Sequence, residues 1–184
     1  MDRASDSGSG GWRFESSWAY SNMRVLESEE VEYLEPMIRG AVGMARLSPC
    51  GKSKRGAVVF RGERILGRGF NAPTPPHCCL PERCSLFCRS FAVHAERNAC
   101  YEALSKGFDL TGASILHIKI KNHQIVPVDE ASCLDCSSYL MILKRDGMPL
   151  RELILMHEDE GDSRVYKAHT IEEFFQNSLN ALNK

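Results

Sequence analysis

Residues 94–107 read HAERNACYEALSKG, and this stretch decides how the rest of the chain is interpreted. Apolar residues recur at helical spacing from Ala95 to Leu104, and Gly107 is a typical helix stop. His94 and Glu96 stand two positions apart at the start of this run. The sequence therefore predicts a helix that carries an imidazole and a carboxylate at its N-terminal end.

A second helix start carries two cysteines, in the stretch CLDC at residues 133–136. Cysteines three positions apart at a helix start lie on one face, and the helix dipole there favours thiolate over thiol. Two thiolates and one neutral imidazole make three ligands with a fourth position open, which is typical of catalytic rather than structural zinc. We therefore predict one zinc ion held by His94, Cys133 and Cys136.

The charge balance of this site gives Glu96 a role. Zinc with two thiolates is neutral and activates water only modestly, so another group has to accept the proton. Glu96 could reach the fourth position, take a proton from water and pass it to a ring nitrogen and to a leaving amine. Either half of the pattern occurs by chance, but together they match the H-x-E and C-x-x-C signature of zinc nucleobase deaminases.

The remaining periodicities predict strands that alternate with helices, which indicates an α/β layered fold. Thr170 is a plausible N-cap for the last helix, with Glu173 completing a capping box. Pro36 predicts either a kink in the first helix or a helix that starts just before it. The predicted helices are 31–45, 95–104, 136–145 and 171–179; the predicted strands are 57–60, 64–69, 115–121, 152–156 and 165–168. Residues 1–25 are interpreted as a disordered or arm-like tail, and residues 26–184 as one domain.

Composition narrows the class of protein. The chain has 184 residues, 43% of them hydrophobic, and a formal net charge of −1, which disfavours a dedicated nucleic-acid module. No signal segment or membrane-length apolar run is seen, so we expect a cytoplasmic protein and no membrane partner. In that compartment the eight cysteines bind metal more often than they form disulfides. A disulfide-rich extracellular domain is the disfavoured alternative.

From about Leu34 to Leu179 the sequence resembles the cytidine and deoxycytidylate deaminase superfamily. The similar segments are the residues 94–99, the helix 140–147 with the strand 153–155 after it, and Gly69-Phe70-Asn71. The resemblance implies a three-layer α/β/α fold with a mixed five-stranded sheet, one catalytic zinc and a homo-oligomer. It also implies that zinc-activated water attacks C4 of cytosine or C6 of adenine, with Glu96 as the proton shuttle.

The resemblance further implies the substrate contacts and a second metal. Asn71, with Phe70 before it, would contact the sugar or the base, and backbone contacts to the base would come from Ala95 and Ser132. The family usually has proline where Ser132 stands. A second, structural zinc occurs in the deoxycytidylate branch, and the loop after His77 could hold one through Cys78, Cys79, Cys84 and Cys88. The alternative is that these are small residues packed against the first zinc helix.

The substrate stays open between several classes. We favour a small-molecule deaminase of pyrimidine metabolism that acts on cytidine, deoxycytidine or their phosphates, with cytosine favoured over adenine. A deaminase of single-stranded RNA, DNA or tRNA is less favoured because the net charge is close to neutral. A silent zinc-scaffolded binding protein would not need Glu96. The cations of the first hairpin could bind phosphate, although solvated surface charge is the favoured interpretation: Lys52, Lys54, Arg55, Arg61, Arg64 and Arg68.

Overall fold

The computed structural model describes residues 23–73, 92–128, 133–159 and 164–182. Its helices are α1 (Ser28–Tyr33), α2 (Glu35–Leu47), α3 (Ala95–Ser105), α4 (Leu134–Arg145) and α5 (Ile171–Leu182). Its strands are β1 (Arg24–Val25), β2 (Lys54–Arg61), β3 (Arg64–Phe70), β4 (Ser114–Lys121), β5 (Gln124–Val126), β6 (Glu152–Glu158) and β7 (Arg164–His169). The predicted tail up to residue 22, the cysteine-rich loop and Ser132 lie outside the described residues.

One mixed sheet organises the described part of the chain, in the order β1-β7-β6-β4-β2-β3. β4 and β6 are parallel, as expected for two strands joined by a helix, and the other pairs are antiparallel. The predicted α/β mixed sheet is confirmed, with seven strands rather than five. The two additional strands are short: β1 pairs with β7, and β5 folds back on β4 through a turn at Asn122 and His123, which have φ of 50° and 63°.

Helices cover both faces of this sheet, which confirms the predicted three-layer arrangement. α2 packs on one face, where Ile38 and Ala41 meet Leu116 and Ile154. α3, α4 and α5 pack on the other face, where Ala99 and Leu140 belong to the larger of two buried cores. Strand residues alternate between the two cores, so each central strand is buried on both sides.

Glycines on the strands let the helices approach the sheet closely, and this sets the position of α3. A Cβ atom on Gly69 would lie 2.3 Å from the backbone nitrogen of Ala99 and 2.5 Å from the carbonyl oxygen of Ala95. A Cβ atom on Gly67 would likewise lie 2.7 Å from the backbone nitrogen of Ala103, one turn further along α3. The start of α3 therefore lies directly on the end of β3, and His94 is fixed there.

The ends of the helices follow the sequence signals. Pro36 lies in the first turn of α2, so it marks a helix start and not a kink. The hydroxyl of Thr170 accepts a hydrogen bond from the backbone N–H of Glu173 at 3.2 Å, which confirms the predicted N-cap of α5. Among the helices that the structure describes, none is both long and apolar enough to cross a membrane.

A pair of histidines joins β6, β7 and α5 on the face that α5 covers. The Nε2 atoms of His157 and His169 are 2.9 Å apart, and the ring centroids are 5.1 Å apart. Nδ1 of His169 lies 3.8 Å from a carboxylate oxygen of Glu173. His169 is buried, and burial, together with the charges of His157 and Lys167, lowers its pKa to about 4. At neutral pH this ring is therefore uncharged.

We expect His169 to make the protein less stable in acid. Its pKa is about 4 in the folded state and about 6.5 in an unfolded chain, so the unfolded state binds more protons between these values. The contribution of His169 to the free energy of unfolding is fully present above about pH 6.5 and is lost as the pH falls towards 4. Between pH 7 and pH 5 the loss is about 2 kcal/mol. Urea unfolding at both pH values should show a smaller loss for His169→Gln than for the parent.

The matched control for this measurement is His123→Asn. His123 is exposed in the β4–β5 turn, and asparagine tolerates its positive φ. This variant should keep the parent's loss of stability between pH 7 and pH 5. An unchanged loss in His169→Gln would show that His169 does not stay neutral in the fold.

Candidate metal centre and its surroundings

The three predicted metal ligands come together where α3 and α4 begin. Nδ1 of His94 is 2.9 Å from Sγ of Cys133 and 3.3 Å from Sγ of Cys136. His94 and Cys133 are the N-cap residues of α3 and α4, and Cys136 lies in the first turn of α4. Within the residues that the structure describes, these form the one His, Cys, Asp or Glu group compact enough for a metal, with all ligand atoms within 4.8 Å of one another.

The thiols of this group are arranged to exchange protons for a metal. A hydrogen bond from the Cys136 thiol and another from His94 lower the pKa of Cys133 to about 5, against the effect of burial. Donating that hydrogen bond, and burial, raise the pKa of Cys136. The hydrogen bond to Cys133 likewise raises the pKa of His94. The protons of the Cys136 thiol and the His94 imidazole lie between the three ligand atoms, where a thiophilic cation fits, so the donor set suits zinc.

Glu96 lies beside this group, inside the protein. Its Oε2 atom is 3.7 Å from Sγ of Cys136, and 6% of the residue is exposed. Burial raises the pKa of Glu96, but His117 and His94 outweigh burial, so the pKa lies below its ordinary value. A buried carboxylate that stays ionised next to a metal-binding group is suited to accept a proton.

His117 is a neighbour of Glu96 that sequence reasoning missed. Its Nδ1 atom is 3.6 Å from Oε1 of Glu96, and 2% of the residue is exposed. Burial lowers the pKa of His117 to about 4 although Glu96 acts in the opposite direction, so the ring is neutral at physiological pH. Strand periodicity over residues 115–121 shows that His117 shares a face with Ile115. Only the packing of α3 shows that this face is the one with the metal-binding group.

Asn71, predicted as a substrate contact, lies at the end of β3 and holds the neighbouring backbone. Its Oδ1 atom accepts hydrogen bonds from the Ser48 hydroxyl at 2.8 Å and the Arg55 backbone N–H at 2.7 Å. Its Nδ2 atom donates to the carbonyl of Ser53 at 2.8 Å. These contacts use both acceptor positions of the amide and one of its two donor hydrogens. Contact with a substrate stays a prediction for this residue.

Of the other predicted substrate residues, Phe70 and Ala95 lie within the described part of the chain and Ser132 does not. The carbonyl of Phe70 accepts a hydrogen bond from Asn98 at 3.1 Å, which ties β3 to α3. Ala95 is fully buried in the first turn of α3, between His94 and Glu96. Ser132 and the cysteines at positions 78, 79, 84 and 88 lie outside the described residues, so the backbone contact from Ser132 and the second zinc stay predictions. Cys50 and Cys100 are buried free thiols.

Comparisons with known proteins give structural likenesses only. No protein-family model and no curated protein matches this chain significantly. A dCMP deaminase from the cyanophage S-TIM5 is 20% identical, covers 68% of this chain and 98% of its own, and gives a TM-score of 0.44. The same protein in complex with dCMP and dUMP gives 0.45.

A third solved structure comes from Thermotoga maritima. It is a diaminohydroxyphosphoribosylaminopyrimidine deaminase fused to a reductase, 26% identical over 48% of this chain and 22% of its own, with a TM-score of 0.36. At these values the neighbours do not assign an activity, which has to rest on the chain's own residues. The solved structures are named as deaminases, which is the class of protein that the sequence resembles.

Proposed function

We propose that this chain removes an amino group hydrolytically from a cytosine base carried by a nucleoside or nucleotide. The observation that carries the proposal is the buried Glu96 carboxylate, 3.7 Å from Sγ of Cys136, one of three converging metal ligands. A metal held only for stability needs four ligands and no acid or base. Three ligands with a carboxylate beside them instead suit chemistry on water.

His94, Cys133 and Cys136 would hold zinc, which when bound lowers the pKa of water and polarises it for attack. Glu96 would take a proton from this water and give it to the ring nitrogen next to the amino carbon. Glu96 would then take the second proton from the added hydroxyl group and give it to the amino group, which leaves as ammonia while a carbonyl replaces it. The overall change consumes one water and releases one ammonia, so atoms and charge balance.

The neighbours of Glu96 support this role. His117 lies 3.6 Å from Oε1 of Glu96 and favours the deprotonated carboxylate, which is the form that can accept a proton. Glu96 itself is buried, with 6% of the residue exposed, so little bulk water reaches the carboxylate. A dry, fixed carboxylate transfers protons without reorganising solvent.

Ammonia release across a set of amino bases tests the proposal. Zinc-loaded protein should deaminate at least one of cytidine, deoxycytidine, CMP and dCMP, and should leave cytosine, adenosine and guanine largely unchanged. Activity restricted to a short single strand would replace the proposal with a polynucleotide deaminase. Activity on none of these, with zinc bound and the fold intact, would favour a zinc-scaffolded binding protein. Homo-oligomerisation stays a prediction, which sedimentation or light scattering can check.

A further inference from the structure

A row of polar residues crosses the sheet immediately outside the candidate metal centre. Arg55 on β2 lies opposite Lys119 on β4, and its backbone pairs with Asn71 beyond β3. The next row inward contains Ala57 opposite His117, and Gly69. Because alternate strand residues share a face, Arg55 and Lys119 face the same side as His117. That side is the one on which α3 carries Glu96.

Arg55 and Lys119 lie close to the candidate centre. They pair one row of the sheet away from the pair of Ala57 and His117 on the same face, and His117 is 3.6 Å from Glu96. Both side chains are half-buried, so they line the rim of the site and not its floor. The Nε–H group of Arg55 donates to the Ser53 hydroxyl at 3.1 Å, which fixes the orientation of the guanidinium.

Other cations of the first hairpin are engaged elsewhere. Arg61 donates to the carbonyl of Asp109 at 2.5 Å, and the guanidinium of Arg64 lies over the ring of Phe108, 4.7 Å from its centre. Arg68 pairs in register with Val58, a residue of the core under α2, so it belongs to the opposite face of the sheet. The sequence does not distinguish Arg55 from the other cations of this hairpin. The structure does, because Arg55 faces the candidate centre whereas Arg61, Arg64 and Arg68 do not.

The charge at the rim differs from the charge at the centre. Zinc with two thiolates would be neutral and Glu96 is negative, whereas Arg55 carries a positive charge on the same side of the sheet, with Lys119 directly opposite it. A substrate phosphate is opposite in charge to these cations, and a guanidinium offers it two parallel N–H donors. Two residues along a strand span about 7 Å, so a group bound at Arg55 belongs to a part of the substrate away from the reacting amino group.

We propose that Arg55, with Lys119 beside it, binds the 5′-phosphate of the substrate, so that this chain acts on a pyrimidine nucleoside 5′-monophosphate. This inference rests on the proposed function and narrows its substrate class. A mononucleotide is favoured over a nucleic-acid strand because the cations form one short row at the rim and the whole chain has a net charge of −1.

Steady-state kinetics on matched substrate pairs tests the assignment. The parent should show a kcat/KM for CMP or dCMP at least about tenfold above that for the corresponding nucleoside, as expected for a charge-assisted hydrogen bond to phosphate. Arg55→Gln should reduce this ratio by about tenfold, mainly through KM, and Arg55→Lys should reduce it less because the charge remains. Arg64→Gln removes a cation from the far end of the same hairpin and should leave the ratio unchanged.

A binding measurement separates this inference from the proposed function. Calorimetric titration of the zinc-loaded parent with UMP and uridine should give tighter binding of UMP, and Arg55→Gln should remove most of the difference. If UMP is favoured and Arg55-dependent while no amino base is deaminated, the phosphate site stands and the proposed function fails. If cytidine and CMP are deaminated equally, and Arg55→Gln lowers both rates alike, the function stands and the phosphate site is wrong.

Two further outcomes bear on the assignment. A short single strand that binds more tightly than UMP, with the same dependence on Arg55, would overturn the mononucleotide form of the proposal. Circular dichroism and zinc content check the fold of Arg55→Gln, because its backbone is paired on both sides. Should that variant fail to fold, Lys119→Gln provides the same test, with a smaller decrease in the ratio of nucleotide to nucleoside kcat/KM expected.

Discussion

Glu96→Gln is expected to lower kcat for ammonia release by about 100- to 10,000-fold, the range associated with losing a positioned acid–base group. Glutamine has nearly the same shape, so the buried environment of this residue can accommodate it, but it cannot accept or deliver the proton. The protein should keep its fold and its zinc, because Glu96 is not among the three ligands. Steady-state assays of ammonia release, with whichever of the tested nucleosides and nucleotides reacts fastest, measure the loss in kcat. Metal analysis measures the zinc content.

Glu102→Gln is the matched control for this variant. Glu102 lies two turns further along α3, where it pairs with Lys106 at 2.9 Å and accepts a hydrogen bond from the backbone of Arg68. Its substitution should cost some stability and leave kcat close to that of the parent. Ammonia release by Glu96→Gln at the parent rate would mean that another group carries the proton.

Cys136→Ser is expected to remove one zinc equivalent per chain and to abolish turnover. Serine is a poor zinc ligand at neutral pH because its hydroxyl does not ionise, and two remaining ligands hold zinc weakly. The variant should also melt at a lower temperature, since a metal present at about 1,000 times its dissociation constant stabilises the folded state by about 4 kcal/mol. Treating the parent with a chelator should have the same effects, and adding zinc back should reverse them.

Cys100→Ala serves as the control for the metal experiment. Cys100 is a fully buried thiol on α3 outside the ligand group, so this variant should retain the zinc content of the parent at a modest cost in stability. A parent with about two zinc ions per chain would support the cysteine-rich loop as a second site, and Cys84→Ser should then remove one of them. A parent that is folded, active and free of zinc would contradict the assignment of the metal centre.

Local signals were enough to predict the ligands and most of the regular elements. His94 and Glu96 had to share one helix start, and Cys133 and Cys136 another, because these pairs are separated by two and three positions along the chain. Gly107 and the Asp146-Gly147 pair end their helices where predicted, with φ of 78° and 88° at the two glycines. The strand β5 was missed because its three residues are too few to show a periodicity.

Long-range placement could not be predicted in the same way. The alternation along β4 separates Leu116 and Ile118 from His117 and Lys119, but it does not show which set faces the metal centre. That choice follows from the order of the strands and from the side on which α3 packs. The same limit applies to Arg55, whose neighbour Lys119 is 64 positions away in the chain and directly opposite in the sheet.

By itself, therefore, the sequence determined the α/β class, the three candidate metal ligands and the carboxylate beside them, because helix starts bring residues a few positions apart onto one face. The tertiary structure decided that residues 94–107 lie against the end of β3, since Gly67 and Gly69 let α3 approach the sheet at backbone distance. It also decided that His117 adjoins Glu96 and that Arg55 and Lys119 line the rim. These neighbours depend on strand order and packing, which are set by the burial of both faces of the sheet and not by local spacing.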